Sequence, residues 1–221
     1  GLPIMLEKLK QEVCQNNLAL PKNGLVLWTS GNVSARDPET DLVVIKPSGI
    51  QFEDLSPEEM IVVNLEREVI EGKLAPSVDT ESHLYVYNHC PDVFGITHTH
   101  SPYATAFSIL GDHLPIYTTT SAAVFGSTIP VSEIAAVGEK AIGEEIVRCY
   151  QESSCPAILL KNHGVFTVGK SSGASLKAAV ILEETAQSVY FAKTLQPNLQ
   201  PLANSYISEV YDFYQHNYGQ K

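Results

Sequence analysis

The sequence contains no apolar run approaching the ~18 residues that a membrane-spanning helix requires. Its first residues show no basic stretch, long apolar stretch or small-residue cleavage site of the kind that directs secretion. Positive charge is scarce, with 14 Lys and Arg against 25 Asp and Glu, a net charge of −11. A surface of that sign repels nucleic acid and anionic membranes, so neither is an expected partner. A small anionic substrate remains compatible with it, provided its charge is handled locally. Cysteine is sparse as well. Cys14, Cys90, Cys149 and Cys155 form no CxxC pair and read as reduced, structural thiols. Together these absences give the expectation of a cytoplasmic protein.

Repeats, low-complexity stretches and long linkers are also missing. What remains is an ordinary globular mixture, 44% apolar and 18% charged over 221 residues, enough for one sizeable core. Gly1-Leu-Pro-Ile4 precede Met5 and read as a remnant ahead of the natural start, leaving 5–221 as a single domain. Leu6, Leu9, Val13 and Leu18 recur at helical spacing, and Pro21 is expected to close that helix. Leu42–Ile45 and Met60–Val63 read as strands, with a turn at Pro47-Ser-Gly49 and one helical turn begun by Ser56-Pro57. A helix is expected over Thr80–Asn88, a strand over Val93–Thr99, a short helix after Ser101 and a longer one over Ile134–Tyr150. Ala157–Leu160 and Val165–Val168 read as strands joined by the tight turn Lys161-Asn-His-Gly164. Ser172 opens an Ala-rich helix ending before Pro197, and a last helix lies near Ile207–Tyr214. Strands mixed with helices and a hairpin indicate a layered α/β or α+β domain with a mixed sheet.

Chemistry concentrates at Gly95-Ile-Thr-His-Thr-His100. Side chains alternate along a strand, so His98 and His100 point the same way and can grip one cation together. Gly95, Thr97 and Thr99 are small and are expected to leave room around them. His163, in a tight turn before Gly164, is the third candidate ligand. Asp79 in Pro76-Ser-Val-Asp-Thr80 is the best placed carboxylate for a fourth position. Three histidines with an open or carboxylate position are what a catalytic zinc takes. A His-x-His on a strand is, by itself, more often a pair of satisfied histidines than a ligand pair. His83, His89, His113 and His216 have no comparable context and read as ordinary polar residues.

Five landmarks follow one another in order: Ser30-Gly-Asn-Val-Ser34, Ile45-Lys-Pro-Ser-Gly49, Pro76-Ser-Val-Asp-Thr80, Thr97-His-Thr-His-Ser101 and Asn162-His-Gly164. In them the chain resembles, from about Met5 to Gln220, the class II sugar-phosphate aldolase family, which includes L-fuculose-1-phosphate aldolase and L-ribulose-5-phosphate 4-epimerase. The resemblance implies an α/β fold layered α/β/α, a central and largely antiparallel sheet between helices forming one catalytic domain. It implies Zn2+, or another divalent metal, on His98, His100 and His163, with Asp79 as a further ligand or as an acid/base group. It implies phosphate binding by Gly31, Asn32, Ser48, Gly49 and Ser77, with Val78 standing where a second serine is common. Glycine and serine permit close backbone approach, and their N–H and O–H groups cradle an oxyanion without a cluster of lysines. Homotetramers with active sites between subunits are implied, as is a phosphorylated sugar substrate.

Both family reactions make or break a carbon–carbon bond beside a ketone through a metal-stabilised enediolate. Proton transfer then falls to Asp79 and to Tyr218, whose Tyr218-Gly-Gln220 resembles the epimerase C-terminus. The epimerase carries a catalytic acid in a Thr-Thr-His-Ala-Asp stretch; here the stretch is Thr119-Thr-Ser-Ala-Ala123. An epimerase must re-add the aldehyde to its opposite face and needs proton carriers on both sides, whereas an aldolase needs one. The apolar Ala122 and Ala123 resemble the fuculose aldolase, although its tyrosine aligns near Thr119. The expectation is therefore an L-fuculose-1-phosphate-like aldolase releasing dihydroxyacetone phosphate and an aldehyde. The 4-epimerase is the alternative, and a non-catalytic adducin-like interaction domain a third reading that the retained histidines disfavour.

Overall fold

Val43-Val-Ile45 and Ile61-Val-Val63 are β-branched runs in which every side chain is buried, the mark of strands covered on both faces. The computed structural model describes residues 2–137 and 140–217. Its strands are β1 (Asn32–Arg36), β2 (Val43–Ile45), β3 (Ile61–Val63), β4 (Val69–Glu71), β5 (Gly95–Thr99), β6 (Ala157–Leu160) and β7 (Gly164–Gly169). They form one sheet in the order β4-β3-β2-β1-β5-β7-β6. Every pairing of these strands is antiparallel. The parallel component of the expected mixed sheet is an isolated bridge between Val131 and Leu159.

Helices cover both faces: α1 (Leu2–Lys22), α2 (Thr80–His89), α3 (Pro102–Leu110), α4 (Thr119–Phe125), α5 (Lys140–Ser153), α6 (Ser172–Leu195) and α7 (Asn204–Asn217). Val43, Ile45, Ile61 and Val63 pack with Leu84 of α2 and with Ile142 and Ile146 of α5. Val33, Val44 and Val62 turn the other way, onto Leu6, Val13 and Leu20 of α1. A third cluster joins α3, α4, α6 and α7 to Leu159 and Val165. The layering is thus α/β/α. Each fully buried Val or Ile in it contributes about 1.5–3 kcal/mol against exposure. Among the described residues, no helix is long and apolar enough to cross a membrane.

Two strands and one helix escape the sequence pattern. In β1, Asn32, Ser34 and Arg36 are buried polar side chains alternating with only Val33 and Ala35, so the segment lacks the apolar run that marks β2 and β3. It is held instead by Asn17 of α1, whose side chain bonds both the N–H (2.8 Å) and the carbonyl (3.1 Å) of Val33. Exposed β4 and the Thr-rich α4, capped by the Thr118 hydroxyl and ended by left-handed Gly126, also carry no pattern. Two boundaries differ. Pro21 lies inside the last turn of α1, where its missing N–H costs one i→i−4 bond and the helix ends one residue later at Lys22, and the stretch 134–137 is not helical. Gly95 serves a purpose other than room for the histidines: its face of β5 meets Ser171 and Ser172 at the start of α6, where a Cβ would collide.

Candidate metal centre and substrate cleft

β5 presents Ile96 and His98 toward α2, while Thr97 turns to α6, where its hydroxyl meets Ser175 at 2.7 Å. His98 lies beside Asn32 in the β1–β5 ladder and beside Phe166 in the β5–β7 ladder. His100 follows the strand's end, its N–H bonded to the Leu25 carbonyl at 3.2 Å. His163 arrives from the β6–β7 turn, in which Asn162 takes a positive φ of 61°. Gly164 follows at φ 155°, close against the Thr99 carbonyl, where a Cβ would clash. One strand with its end and a hairpin turn therefore aim three rings at one point. Ring centroids lie 4.9 Å (His98–His100), 5.1 Å (His98–His163) and 5.2 Å (His100–His163) apart.

The donor set suits a cation. One nitrogen from each ring lies within 4.8 Å of the others. His98 Nδ1 donates to the Val165 carbonyl at 2.8 Å, which leaves the Nε2 lone pair free. That Nε2 faces His100 Nε2 at 3.1 Å, close to the ~3.3 Å edge of a tetrahedron built from 2.0–2.1 Å bonds to nitrogen. Burial pushes His98 down to about 3, against the opposing pull of Asp79. His100 is lowered by burial and by His163, and His163 by burial, again against Asp79. Neutral imidazoles are ready to ligate at pH 7 without first losing a proton.

Asp79 precedes α2, and its Oδ2 lies 3.9 Å from His98 Nε2, outside the three-histidine group. Asn32 Nδ2 donates to that oxygen at 2.7 Å. Burial pushes the Asp79 carboxyl up, but His98, the Asn32 hydrogen bond, His83 and His163 outweigh it and hold the group below the usual carboxylate range.

The other expected positions gather at the same place. A cleft of about 370 Å³ is lined by Gly31, Asn32, Ser48, Gly49, Ser77, Val78, Asp79, His98, His100 and His163, with Lys46 and Val137. Two loops build its far wall: Ser48 N–H bonds Ala75 O at 2.8 Å, and Ser77 N–H bonds Lys46 O at 3.0 Å. Gly31 sits at φ 85°, where an added Cβ would press on Val26 and on the His98 carbonyl. Tyr218 lies outside the described residues. Ala123 does not line this cleft. It faces a separate groove of about 340 Å³ with Thr119, Thr120, Lys177, Phe213 and Tyr214.

Sequence reasoning misses two site residues. Lys46 is 2% exposed, its ammonium bonded to Pro47 O at 3.2 Å and 4.9 Å from the Phe52 ring centre. Burial lowers its pKa, with Asp79 opposing. It is the cation among the described lining residues, and a lysine directly after the apolar run Val43–Ile45 is the available signal. His83 is fully buried and bonded to Asn32 and Ser34 at 2.6 Å each, far from the ordinary polar residue expected. Its position one helical turn after Asp79 is the readable clue.

The chain is 38% identical to the L-ribulose-5-phosphate 4-epimerase UlaF of Salmonella paratyphi A, over 98% of this chain and all of that one. The same identity and coverage hold for UlaF of Salmonella typhi. A solved L-fuculose 1-phosphate aldolase superposes with a TM-score of 0.88 at 27% identity, covering 94% of this chain and 96% of that one. The L-fuculose-1-phosphate aldolase of Thermus thermophilus gives 0.74 at 25% identity, covering 88% and 98%. The family model for the class II aldolase and adducin N-terminal domain matches residues 11–190. The chain belongs to that class II aldolase and adducin family.

Proposed function

We propose that the chain is a metal-dependent enzyme that opens a carbon–carbon bond beside the ketone of a phosphorylated sugar and, in its first reading, re-forms it as an L-ribulose-5-phosphate 4-epimerase. The observation that carries the chemistry is the convergence of three histidine nitrogens and the Asp79 carboxylate in one cleft with two Ser/Gly loops. The near full-length likeness to 4-epimerases supports the choice of substrate.

Zn2+ on His98, His100 and His163 would supply Lewis-acid polarisation of the substrate's carbonyl oxygen. The loops at Gly31-Asn32, Ser48-Gly49 and Ser77 hold the phosphate through N–H and O–H groups, and Lys46 adds the positive charge that a chain of net charge −11 otherwise lacks here. Asp79, ionised at neutral pH, can only accept a proton, so it takes the one on the hydroxyl of the departing carbon. Tyr218 is the proposed second proton carrier. Val78 and Val137, 70% and 69% exposed while lining the cleft, are the surface that a neighbouring subunit would cover in the proposed homotetramer. All four cysteines are free and buried, which supports a cytoplasmic setting.

The second reading, an L-fuculose-1-phosphate-like aldolase, is favoured by Ala123, where the epimerase has an acid. Because Ala123 does not line the cleft of its own chain, its identity bears on the reaction only through a neighbouring copy. The aldolase reading ranks second because the chain is 38% identical to 4-epimerases over nearly its whole length and 27% identical to a solved L-fuculose 1-phosphate aldolase. Incubation of the Zn2+-loaded protein with L-ribulose 5-phosphate and, separately, with L-fuculose 1-phosphate decides between them. Conversion of the first to D-xylulose 5-phosphate without cleavage of the second is expected. Cleavage of the second without conversion of the first would establish the aldolase, and inertness toward both would leave the interaction-domain reading.

A further inference from the structure

A buried chain of hydrogen bonds runs from α2 to the cleft. Tyr87 OH meets Ser34 Oγ at 2.8 Å, and Ser34 Oγ meets His83 Nδ1 at 2.6 Å. His83 Nε2 then meets Asn32 Oδ1 at 2.6 Å, and Asn32 Nδ2 reaches Asp79 Oδ2 at 2.7 Å and Ser77 Oγ at 3.0 Å. Tyr87, Ser34 and His83 are at most 1% exposed and Asn32 is 3% exposed, so water does not compete for these bonds.

The direction of the chain follows from its last bond. The Asp79 carboxylate only accepts, so Asn32 must turn its Nδ2 toward it and its Oδ1 toward His83. His83 must then carry its proton on Nε2. Its Nδ1 is left as an acceptor, which Ser34 O–H fills, and Ser34 oxygen in turn accepts from Tyr87. Reversal would set Asn32 Oδ1 against the Asp79 carboxylate, two acceptors 2.7 Å apart with no proton between them. Burial keeps His83 neutral near pH 7, with its pKa pushed down to about 4 against the pull of Asp79. A neutral ring has one donor, and it is used on Asn32.

The geometry points to His83 as a positioning residue that, by donating Nε2–H to Asn32 Oδ1, holds the Asn32 amide in the orientation that fixes the Asp79 carboxylate beside the three-histidine site. The inference rests on the metal reading above and assigns His83 no contact with substrate. A purely packing role is the competing account. The His83 ring meets Phe166 edge-on at 5.5 Å, and Phe166 stacks on His98 at 4.4 Å, so the ring also braces a ligand.

Two substitutions separate the accounts. H83Q loses the ring but places an amide N–H near the position of Nε2; H83F keeps a ring and loses the donor. Co2+ affinity and the visible spectrum of the Co2+ form are the readouts, on protein stripped of metal, with thermal melting of each variant. H83Q is expected to bind Co2+ within about threefold of the unsubstituted chain, with its spectrum kept. H83F is expected to bind about 10- to 100-fold more weakly, the usual cost of losing an outer-shell partner, without exceeding the loss in D79N. Adding N32A to H83F should cost nothing further, since both act through Asp79. Equal binding by H83F, a loss in H83Q as large as in H83F, or additive losses for H83F and N32A would each overturn the inference. Should H83F not fold, H83Q against N32A carries the test: the first must bind normally and the second must fall to the level of D79N. A chain that takes up no Co2+ with His83 intact sinks the metal reading as well, whereas uptake that ignores H83F sinks this inference alone.

Discussion

Asn32 and His98 are cross-strand neighbours in the β1–β5 ladder. One strand pairing therefore places the amide that holds the Asp79 carboxylate next to the imidazole that offers its lone pair to a metal. The Asp79 carboxylate and the three-histidine cluster are not independent features of the cleft, because any shift of β1 against β5 moves both.

The same burial makes the metal-free protein sensitive to acid. His83 and His98 are fully buried with pKa values pushed down to about 4 and about 3, from an unfolded value of 6.5. Between those limits the unfolded chain binds protons that the folded chain refuses, so stability falls as pH falls. Each group adds a slope approaching about 1.4 kcal/mol per pH unit below pH 6.5. Urea denaturation of metal-free protein at pH 7.5, 6.5, 5.5 and 4.5 should give a free energy that is flat above 6.5 and drops steeply below it. A flat profile down to pH 4.5 contradicts the burial of two neutral imidazoles.

Gly31 and Gly49 both have positive φ, 85° and 70°, but differ in their surroundings. A Cβ at Gly31 would press on Val26 and come to 2.9 Å from the His98 carbonyl, whereas one at Gly49 would meet nothing within 4 Å. Gly31→Ala should therefore cost more than Gly49→Ala, with about 1–3 kcal/mol of backbone strain common to both. It should also weaken metal binding, by displacing the strand end that carries His98. Thermal melting and Co2+ titration of the two variants check the order; equal losses would contradict it.

Lys46→Met separates charge from structure. Lys46 is buried, and burial opposes its charge, so its removal should leave stability unchanged or raised. Loss of a hydrogen bond from a charged donor to a phosphate corresponds to roughly 10- to 100-fold in binding. The KM for whichever sugar phosphate is turned over should rise by that factor with little change in kcat. An unchanged KM would remove Lys46 from phosphate binding.

Legibility in the sequence follows locality. The His98–His100 pair is readable because β5 alternates, and β7 because its run Val165–Val168 is apolar. The strand β1 is not, although it borders both His98 and Asp79. Its inward side chains Asn32, Ser34 and Arg36 are polar and find their partners at His83, Tyr87 and the carbonyls of Tyr87, Pro91 and Val93, about fifty residues away. His83 escapes for the same reason, since nothing within its own segment betrays those bonds. The Ser/Gly loops are recognisable as motifs, but their convergence depends on the pairing of Pro47 with Pro76. Ala123 reads in the sequence as a residue of the reaction site; within its own chain it faces the groove beside α6 and α7, so its part in the reaction depends on a neighbouring copy that no single chain reveals.

The central claim is that His98, His100 and His163 form a divalent-metal centre, and metal content per chain tests it most directly. Purified protein dialysed against Zn2+ and then against metal-free buffer should retain about one ion per chain. His98→Ala, His100→Ala and His163→Ala should each retain far less while keeping their fold by circular dichroism. Zinc lost equally from the unsubstituted chain and from all three variants would contradict the account.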